Sequence, residues 1–258
     1  MKLKKVFESM TREEKVGQII HAGVVENKQG WPSKKMKHLV QDYHLGAVRV
    51  YSFQRDPFYF SQYTQNLQRW AKSRQNGIPL IISADFEFGL KDNLKYGITE
   101  FPQQMAISAS NSNKIAYEVS EAIAEESKSI GFNMNHRPVV DVNTNNANPV
   151  VGVRSFSDDP KRVKSFGLSV MEAMQDIGII SVAKHFPGHG DTKRDSHLSL
   201  PRITFEKETL YSSHIYPFSA LIESGMDVIM TAHLIVEAID NSLPATLSEK
   251  VIQEILRD

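Results

Sequence analysis

The sequence of 258 residues contains no cysteine, which excludes disulfide bonds and thiolate metal sites. It also has no excess of either charge, because 30 basic residues balance 30 acidic residues. Nucleic-acid-binding proteins usually carry a basic excess, so we expect no nucleic-acid partner. No apolar run approaches the ~20 residues that a membrane span requires, and we therefore expect no membrane attachment.

The N-terminal segment from Met1 to Met10 carries the charges of a signal peptide but lacks its apolar stretch. The absence of cysteine fits a reducing compartment. We therefore expect a cytoplasmic protein. An exported protein whose leader had been removed would have the same sequence, so this expectation concerns only the residues present.

Short apolar runs alternate with longer amphipathic stretches along the chain. Strands that alternate with helices at this spacing are typical of parallel βαβ units. The predicted strands lie at residues 18–25, 46–51, 79–84, 139–142, 179–183 and 228–231. The predicted helices include a short one that opens with a capping box from Thr11 to Glu14, and longer ones at residues 60–74, 115–129, 160–176, 205–224 and 247–257.

Glycines and polar residues mark the ends of these elements. Several predicted helices run into a glycine before the next strand, as α-to-β connections often do, at Gly77, Gly131, Gly178 and Gly225. Active sites of α/β folds gather at the carboxyl ends of strands. Polar clusters follow the predicted strands at those ends, beginning at Asp85, Asp141, Lys184 and Thr231.

These patterns predict an α/β fold of the TIM-type (β/α)8 barrel class. A closed barrel of this class takes ~250 residues and eight strand–helix units. Only six such units can be counted here, so the predicted barrel is incomplete. The sequence has no internal repeat, low-complexity segment or linker, which favours one domain over residues 1–258.

The segment from Lys184 to His197 has the strongest functional pattern, Lys-His-Phe-Pro-Gly-His-Gly-Asp-Thr-Lys-Arg-Asp-Ser-His. Lys184 and His185 stand where a strand ends and can donate hydrogen bonds to a ligand. Asp195 and His197 have one residue between them, which places them on the same side of an extended loop. A carboxylate beside an imidazole orients the ring and stabilises its charged form, which makes a general acid/base near neutral pH.

This pattern resembles the signature of the family 3 β-N-acetylglucosaminidases. The resemblance implies that Asp195 and His197 form an acid/base dyad on a mobile loop, and that Lys184 and His185 bind sugar hydroxyls. It also implies a retaining β-N-acetylhexosaminidase that uses no cofactor and no metal ion. The implied carbohydrate substrates are N-acetylglucosaminides such as peptidoglycan or chitin fragments, with a role in cell-wall recycling.

Other segments are similar to the same family across nearly the whole chain. Residues 81–89 resemble the strand whose aspartate binds the non-reducing sugar, and that aspartate is Asp85 here. Residues 152–156 resemble the motif that carries a sugar-binding arginine, here Arg154. Without this resemblance, either residue reads equally well as a surface charge or a salt-bridge partner.

Three features depart from the family pattern. Asn93 stands where many relatives carry a second substrate-contacting arginine, and His136 and Arg137 stand where relatives usually have small or apolar residues. The nucleophilic aspartate of the family is expected beyond Asp258. We therefore expect a catalytic domain that is truncated at its C-terminus and inactive by itself.

Two other functions stay open at this point. A metal-dependent barrel hydrolase would use the histidine-rich segment to hold Zn²⁺ or Mn²⁺, with ligands from His185, His189, Asp191 and His197. A chain without the nucleophile would be a non-catalytic sugar-binding protein. The aglycone also stays open, and so does the choice of water or phosphate as the acceptor of the sugar.

Overall fold

The computed structural model describes residues 2–51, 56–91, 94 and 96–257. Asn93 and Asp258, which figure in the sequence analysis, lie outside the described residues. The chain divides into two compact units, of which the first comprises Met1–Glu100 and Glu125–Asn135 and the second comprises Phe101–Ala124 and His136–Asp258. One domain over residues 1–258 stays a prediction.

The helices alternate with the strands along both units. Within the described ranges, no helix is both long enough and apolar enough to cross a membrane. The α-helices are α1 (Lys2–Ser9), α2 (Arg12–Gln18), α3 (Lys34–Gln41), α4 (Pro57–Lys72), α5 (Gln104–Ala109), α6 (Asn113–Ser129), α7 (Pro160–Ile177), α8 (Lys207–Thr209) and α9 (Tyr216–Glu223).

The predicted helix boundaries at α2 and at the four glycines are confirmed. Thr11 Oγ1 accepts the Glu14 N–H at 3.2 Å, and Glu14 Oε2 accepts the Thr11 N–H at 2.8 Å, which completes the capping box of α2. The predicted glycines after α4, α6, α7 and α9 all have positive φ. Glycine adopts this conformation at little cost, which explains why the helices stop there.

Parallel strands form the sheets of both units. In the first unit, β1, β2, β3 and β4 pair in that order; in the second, β5 pairs with β7 and β6 pairs with β8. The predicted number of six main strands is therefore confirmed, and five of them overlap their predicted ranges, while β6 and β8, of two residues each, are too short to leave a sequence pattern. The bounds are β1 (His21–Gly23), β2 (Ala47–Arg49), β3 (Ile81–Ala84), β4 (Met134–Asn135), β5 (Ile180–Phe186), β6 (Arg202–Ile203), β7 (Val228–Thr231) and β8 (Ile235–Val236).

The bounds predicted for the fourth strand, residues 139–142, are wrong. β4 occupies Met134–Asn135, and the apolar run after it hydrogen bonds with β5 instead. The Val140 N–H donates to Lys184 O at 2.9 Å, and the Lys184 N–H donates to Pro138 O at 3.1 Å. Pro138 has no N–H of its own, so the hydrogen-bond ladder is divided at this residue.

The helix predicted at residues 205–224 is interrupted. A π-helical segment, Leu210–Ile215, lies between α8 and α9. It ends just before Pro217, which has no N–H to donate to the carbonyl four residues earlier. The regular hydrogen-bond pattern therefore shifts by one residue in the turn that precedes the proline.

The first and last predicted elements are shorter than predicted. β1 begins at His21 rather than at residue 18, because Gln18 still belongs to α2. The last helix begins at Lys250 rather than at residue 247 and has π-helical geometry up to Arg257. A 3-10 turn at Ala245–Leu247 takes the place of its predicted first turn.

The core of the second unit lies between α7, α9 and β5. The inward face of α7 carries Phe166, Val170 and Met174, which follow one another at intervals of four residues. This spacing places the three side chains on one face of a helix. They are buried together with Phe218 and Leu221 of α9, and this packing supports the strand end that carries Lys184.

Candidate active site

The candidate site of the second unit begins at the end of β5. Lys184 is buried, with 2% of its surface exposed. His185 follows at a point where the register of β5 against β7 shifts. Such a bulge re-aims a side chain relative to the regular strand. The two residues expected to bind sugar therefore stand where the strand pairing is interrupted.

Asp141 is a buried carboxylate that contacts two parts of this segment. Its Oδ1 accepts the backbone N–H of His189 at 2.6 Å and that of His185 at 3.2 Å, and its Oδ2 lies 2.7 Å from His185 Nδ1. Burial raises the pKa of Asp141, but the His185 ring and these hydrogen bonds outweigh it and lower the pKa to about 2. Asp141 is therefore ionised at neutral pH, and it leaves His185 Nε2 for a ligand.

His189 is buried and connects the start of the segment to the loop that carries Asp195 and His197. Its Nδ1 lies 2.7 Å from Thr192 Oγ1, and its Nε2 lies 2.9 Å from Ser196 Oγ. Burial lowers the pKa of His189, so the ring is neutral and offers one donor and one acceptor. Because Ser196 stands between Asp195 and His197, His189 anchors the loop at the dyad itself.

Gly190 allows the turn after His189 to lie against the backbone at Val142. A Cβ at Gly190 would lie 1.8 Å from Val142 O, a distance that only glycine avoids. Asn148 fixes the same turn from another side, because its Nδ2 donates to His189 O at 2.8 Å. The loop therefore starts from a firmly held turn.

Asp195 and His197 form a hydrogen-bonded pair at the surface. Asp195 Oδ1 accepts the His197 backbone N–H at 2.8 Å and lies 2.8 Å from His197 Nδ1. These hydrogen bonds lower the pKa of Asp195, so the carboxylate is ionised at neutral pH. The side chain of His197 is 80% exposed, which leaves its Nε2 open to a substrate.

Arg154 ends a 3-10 turn, Gly152–Arg154, and is half-buried. Its Nη1 donates to Val150 O at 2.9 Å, and its carbonyl accepts from Gln104 Nε2 at 2.6 Å. The charge of Arg154 adds to the burial that lowers the pKa of His189, so the two side chains lie near each other in the second unit.

Asp85 lies in the first unit, directly after β3. Arg49 Nη2 donates to Asp85 Oδ2 at 2.5 Å, and the two side chains are 43% and 32% exposed. The parallel pairing of β2 with β3 brings their carboxyl ends together, which explains this contact. Of the predicted site residues, the first unit holds Asp85, and the second holds Arg154, Lys184, His185, Asp195 and His197.

The histidine-rich segment does not form a metal site within the described ranges. No group of three or more His, Asp or Glu side chains there is placed to share one ion. Both ring nitrogens of His189 contact hydroxyls, and His185 Nδ1 contacts Asp141. The metal-dependent alternative is therefore not favoured.

Three residues of this arrangement were not predicted from the sequence in the roles they have here: Asp141, His189 as an anchor, and Arg49. Asp141 was visible only as one of several polar residues after a strand, and His189 only as a possible metal ligand. Asp141 contacts residues 44 and 48 positions further along the chain, and Arg49 contacts one 36 positions away. No local pattern reveals pairs at such separations.

Residues 11–258 match the family described as "Glycosyl hydrolase family 3 N terminal domain". The chain is 34% identical over 240 residues to "Beta-hexosaminidase A" from Pseudoalteromonas piscicida, an alignment that covers 86% of this chain and 40% of the relative. It is also 34% identical over 184 residues to "Beta-hexosaminidase" from Hydrogenovibrio crunogenus, with 69% of this chain and 51% of the relative covered. The chain thus spans about half the length of these curated relatives, or less.

Solved structures give a similar result. A glycoside hydrolase family 3 β-N-acetylglucosaminidase from Paenibacillus sp. str. FPU-7 matches 96% of this chain and 47% of its own, with a TM-score of 0.90 and 36% identity. NagZ from Neisseria gonorrhoeae in complex with N-trifluoroacetyl-D-glucosamine matches 92% of this chain and 70% of its own, with a TM-score of 0.82 and 27% identity. The predicted α/β fold, an incomplete TIM-type barrel with six main strands, is confirmed.

Proposed function

Because this chain belongs to glycosyl hydrolase family 3, we propose that it carries acid/base and sugar-binding groups of a retaining β-N-acetylhexosaminidase. The reaction releases terminal β-linked N-acetylglucosamine from a carbohydrate. One observation carries this proposal: the exposed imidazole of His197 is held at Nδ1 by the carboxylate of Asp195. Relatives named beta-hexosaminidase and the structure of a family 3 β-N-acetylglucosaminidase support it.

His197 acts first as the general acid. Its Nε2 donates a proton to the glycosidic oxygen as the bond from that oxygen to the anomeric carbon breaks, while a carboxylate on the opposite face bonds to the carbon. Asp195 stabilises the imidazolium before the transfer and fixes the ring. His197 Nε2 then removes a proton from the water that displaces the carboxylate, which restores the acid and retains the configuration.

Four residues are proposed to bind the non-reducing sugar. Lys184 and Arg154 donate charge-assisted hydrogen bonds to hydroxyl oxygens, Asp85 accepts hydroxyl protons, and His185 Nε2 hydrogen bonds with a further hydroxyl. Two of them are already oriented by protein contacts, because His185 contacts Asp141 and Asp85 contacts Arg49. An oriented side chain loses less conformational entropy when the sugar binds.

The leaving-group dependence of His197→Ala tests the acid/base assignment. In the complete gene product, we expect kcat/KM for N-acetylglucosaminides with poor leaving groups to fall by ~10²–10⁴-fold. Activated aryl glycosides need little protonation, so their glycosylation step should be affected far less. The measurement is a series of kcat/KM values over aglycones of increasing pKa.

The chain offers a matched control for this experiment. His38 and Asp42 form another exposed histidine–aspartate pair, at the C-terminal end of α3, with side chains 56% and 62% exposed. His38→Ala should therefore keep the activity of the parent on every substrate. An equal loss across all leaving groups in His197→Ala would show that this residue is not the general acid.

The aglycone is proposed from the charge beside the acid/base loop. A cavity of about 370 Å³ in the second unit is lined by Lys193, Arg194 and Arg202 together with Asp191. Arg202 is paired with Glu237 at 2.7 Å, whereas Lys193 and Arg194 are exposed and have no ion-pair partner in the part of the chain that the structure describes. This supports an acidic aglycone, as in peptidoglycan fragments, over neutral chitin, and with it a role in cell-wall recycling.

A double variant tests the preference for an acidic aglycone. We expect Lys193→Ala with Arg194→Ala to lower kcat/KM for a muropeptide about three- to tenfold, because two exposed charge contacts are lost. Hydrolysis of chitobiose should change by less than about twofold. Lys114→Ala with Arg69→Ala, which removes the same two charges elsewhere on the surface, is the control. Equal effects on both substrates would contradict the proposed preference.

The cytoplasmic location expected from the sequence also stays a proposal. Fractionation of cells that express the complete gene product, followed by immunodetection, is the direct test. We expect the protein in the fraction that contains cytoplasmic markers. Recovery with secreted or envelope proteins would contradict this expectation.

A further inference from the structure

Arg49 is the last residue of β2, and its backbone stands in register between Gly23 of β1 and Ser83 of β3. Its Nη2 donates to Asp85 Oδ2 at 2.5 Å. Both side chains therefore lie at the carboxyl ends of neighbouring parallel strands of the first unit. Ligands of barrel folds bind at such strand ends.

Tyr51 supports the guanidinium of Arg49 from one side. Arg49 Cζ lies 4.9 Å from the centre of the Tyr51 ring, within the range of a cation–π contact. Gly23 makes room for the ring, because a Cβ at that position would lie 2.8 Å from Tyr51 Oη. Arg49 is thus held by a carboxylate and by an aromatic ring, which limits its freedom before any ligand binds.

We propose that Arg49 is a further sugar-binding residue that also positions Asp85, so that the two side chains act as one subsite for hydroxyls of the non-reducing sugar. This inference rests on the proposed function, which assigns Asp85 to that sugar. The sequence points the same way. Asn93 replaces the arginine that the family resemblance leads us to expect, and Arg49 supplies a guanidinium at the end of β2.

The chemistry of the pair suits neighbouring sugar hydroxyls. A guanidinium carries five N–H donors in a rigid plane. Within the described ranges, the only side-chain hydrogen bond of Arg49 is the one to Asp85. A hydroxyl both donates and accepts, so Arg49 donates to the hydroxyl oxygens while Asp85 accepts their protons.

A purely structural ion pair would behave differently. Solvent-exposed pairs contribute little to stability, and the side chains of Arg49 and Asp85 are 43% and 32% exposed. Removing Arg49 should therefore weaken sugar binding much more than it changes unfolding. Measuring sugar affinity and unfolding temperature on the same variants therefore distinguishes a sugar-binding pair from a purely structural ion pair.

The test is calorimetric titration of the complete gene product with N-acetylglucosamine, together with kcat and KM on an aryl N-acetylglucosaminide. We expect Arg49→Ala to weaken binding about tenfold or more, because a charge-assisted hydrogen bond is lost and Asp85 is released. KM should rise more than kcat falls. Arg49→Lys keeps the charge but not the planar fork, so it should recover only part of the affinity.

A double variant and a control complete the experiment. If Arg49 acts with Asp85, the double variant Arg49→Ala/Asp85→Ala should bind hardly more weakly than Asp85→Ala alone. Arg69→Ala, which removes an exposed arginine of the same unit, should bind like the parent and unfold at the same temperature as Arg49→Ala.

Each remaining outcome overturns the inference. If Arg49→Ala or Arg49→Lys binds N-acetylglucosamine with an affinity within about twofold of the parent, Arg49 is not part of the subsite. If the losses of affinity in the two single variants add up in the double variant, Arg49 does not position Asp85. A folded parent that binds no N-acetylglucosamine overturns the proposed function, and the subsite with it; a parent that binds while Arg49→Ala binds equally well overturns the subsite alone.

Discussion

At the scale of single residues, Asp141 and Asp195 illustrate two ways in which a carboxylate controls a histidine. Asp141 is fully buried and accepts hydrogen bonds from two backbone N–H groups as well as from His185. Asp195 is partly exposed, and within the described part of the chain its carboxylate hydrogen bonds with His197 alone. Loss of Asp141 should therefore disturb the whole segment, whereas loss of Asp195 should disturb the acid/base pair alone.

We expect Asp141→Asn to lower the free energy of unfolding by about 3–5 kcal/mol, because it breaks a buried charged contact. Activity should fall with it, since an amide NH2 takes the place of the oxygen that contacts His185 Nδ1, and the negative charge beside that ring is lost. The measurement is denaturant unfolding beside kcat. Asp176→Asn, which removes a carboxylate whose partner is the exposed Tyr117 hydroxyl at 2.7 Å, is the control and should be nearly neutral.

The acid side of the stability curve gives a second check on Asp141. Its pKa is lowered from 3.8 to about 2, so its contribution is fully present above the unfolded value and is lost as the pH falls through the folded one. The parent and Asp141→Asn should therefore converge in stability only at strongly acidic pH. A constant difference between them down to that pH would contradict the assigned role.

At the scale of elements, the π-helical segment Leu210–Ile215 packs against the turn of the histidine-rich motif. A Cβ at Gly188 would lie 2.8 Å from His214 Cβ, so the two backbones approach closely. The His214 ring is buried, stacks on Phe205 with centroids 4.5 Å apart, and has no hydrogen-bond partner among the described residues. π-helical turns often accompany functional segments, and this one supports the turn from which the loop with Asp195 and His197 begins.

Burial lowers the pKa of His214 below its ordinary 6.5, although the charges of Asp141 and Asp191 oppose this effect. The neutral ring is therefore the stable form in the folded protein. The contribution of the buried neutral ring to the free energy of unfolding is fully present above pH 6.5. It is lost as the pH falls through the lower pKa that His214 has in the folded protein. We expect His214→Phe to preserve stability at about pH 7.5 and to reduce the loss at about pH 5.5.

Thermal unfolding at both pH values measures this effect. Phe205→Leu removes the stacking partner but no titrating group, so it should destabilise the protein equally at the two pH values. An unchanged pH dependence in His214→Phe would show that the protonation of this ring does not limit stability in acid. His189 retains its own lowered pKa in the variant, so part of the acid sensitivity should remain.

At the scale of the whole molecule, the periodicity of the sequence predicted the number of main strands and the glycines that end the helices. It failed where a proline altered hydrogen bonding. Pro138 divides the ladder of the predicted fourth strand, and Pro217 follows a π-helical segment inside a predicted helix. Apolar patterns report which residues are buried, and Val139 and Val140 are indeed buried. Apolar patterns do not show where a proline removes a backbone N–H from the hydrogen bonds of a strand or helix.

The candidate site was predictable where its residues are close in the sequence. The Asp195–His197 contact follows from their spacing, and the structure has the two side chains at 2.8 Å. Asp141 and Arg49 were not predictable, because their partners come from other strands and only the sheet brings them together. The roles in catalysis and sugar binding remain predictions for the experiments described above.

The Asp195–His197 pair, the buried His189 and the basic residues of the cavity all belong to one continuous stretch, residues 184–202. That stretch is fastened mainly through Asp141 and the buried His189, while the residues from Lys193 to His197 lie at the surface or only partly below it. Natural variation or laboratory evolution can therefore recharge or lengthen the outer loop without repacking the sheet. If the proposed roles hold, variants of this loop should differ in leaving-group preference while the strands that carry the proposed sugar-binding residues stay unchanged.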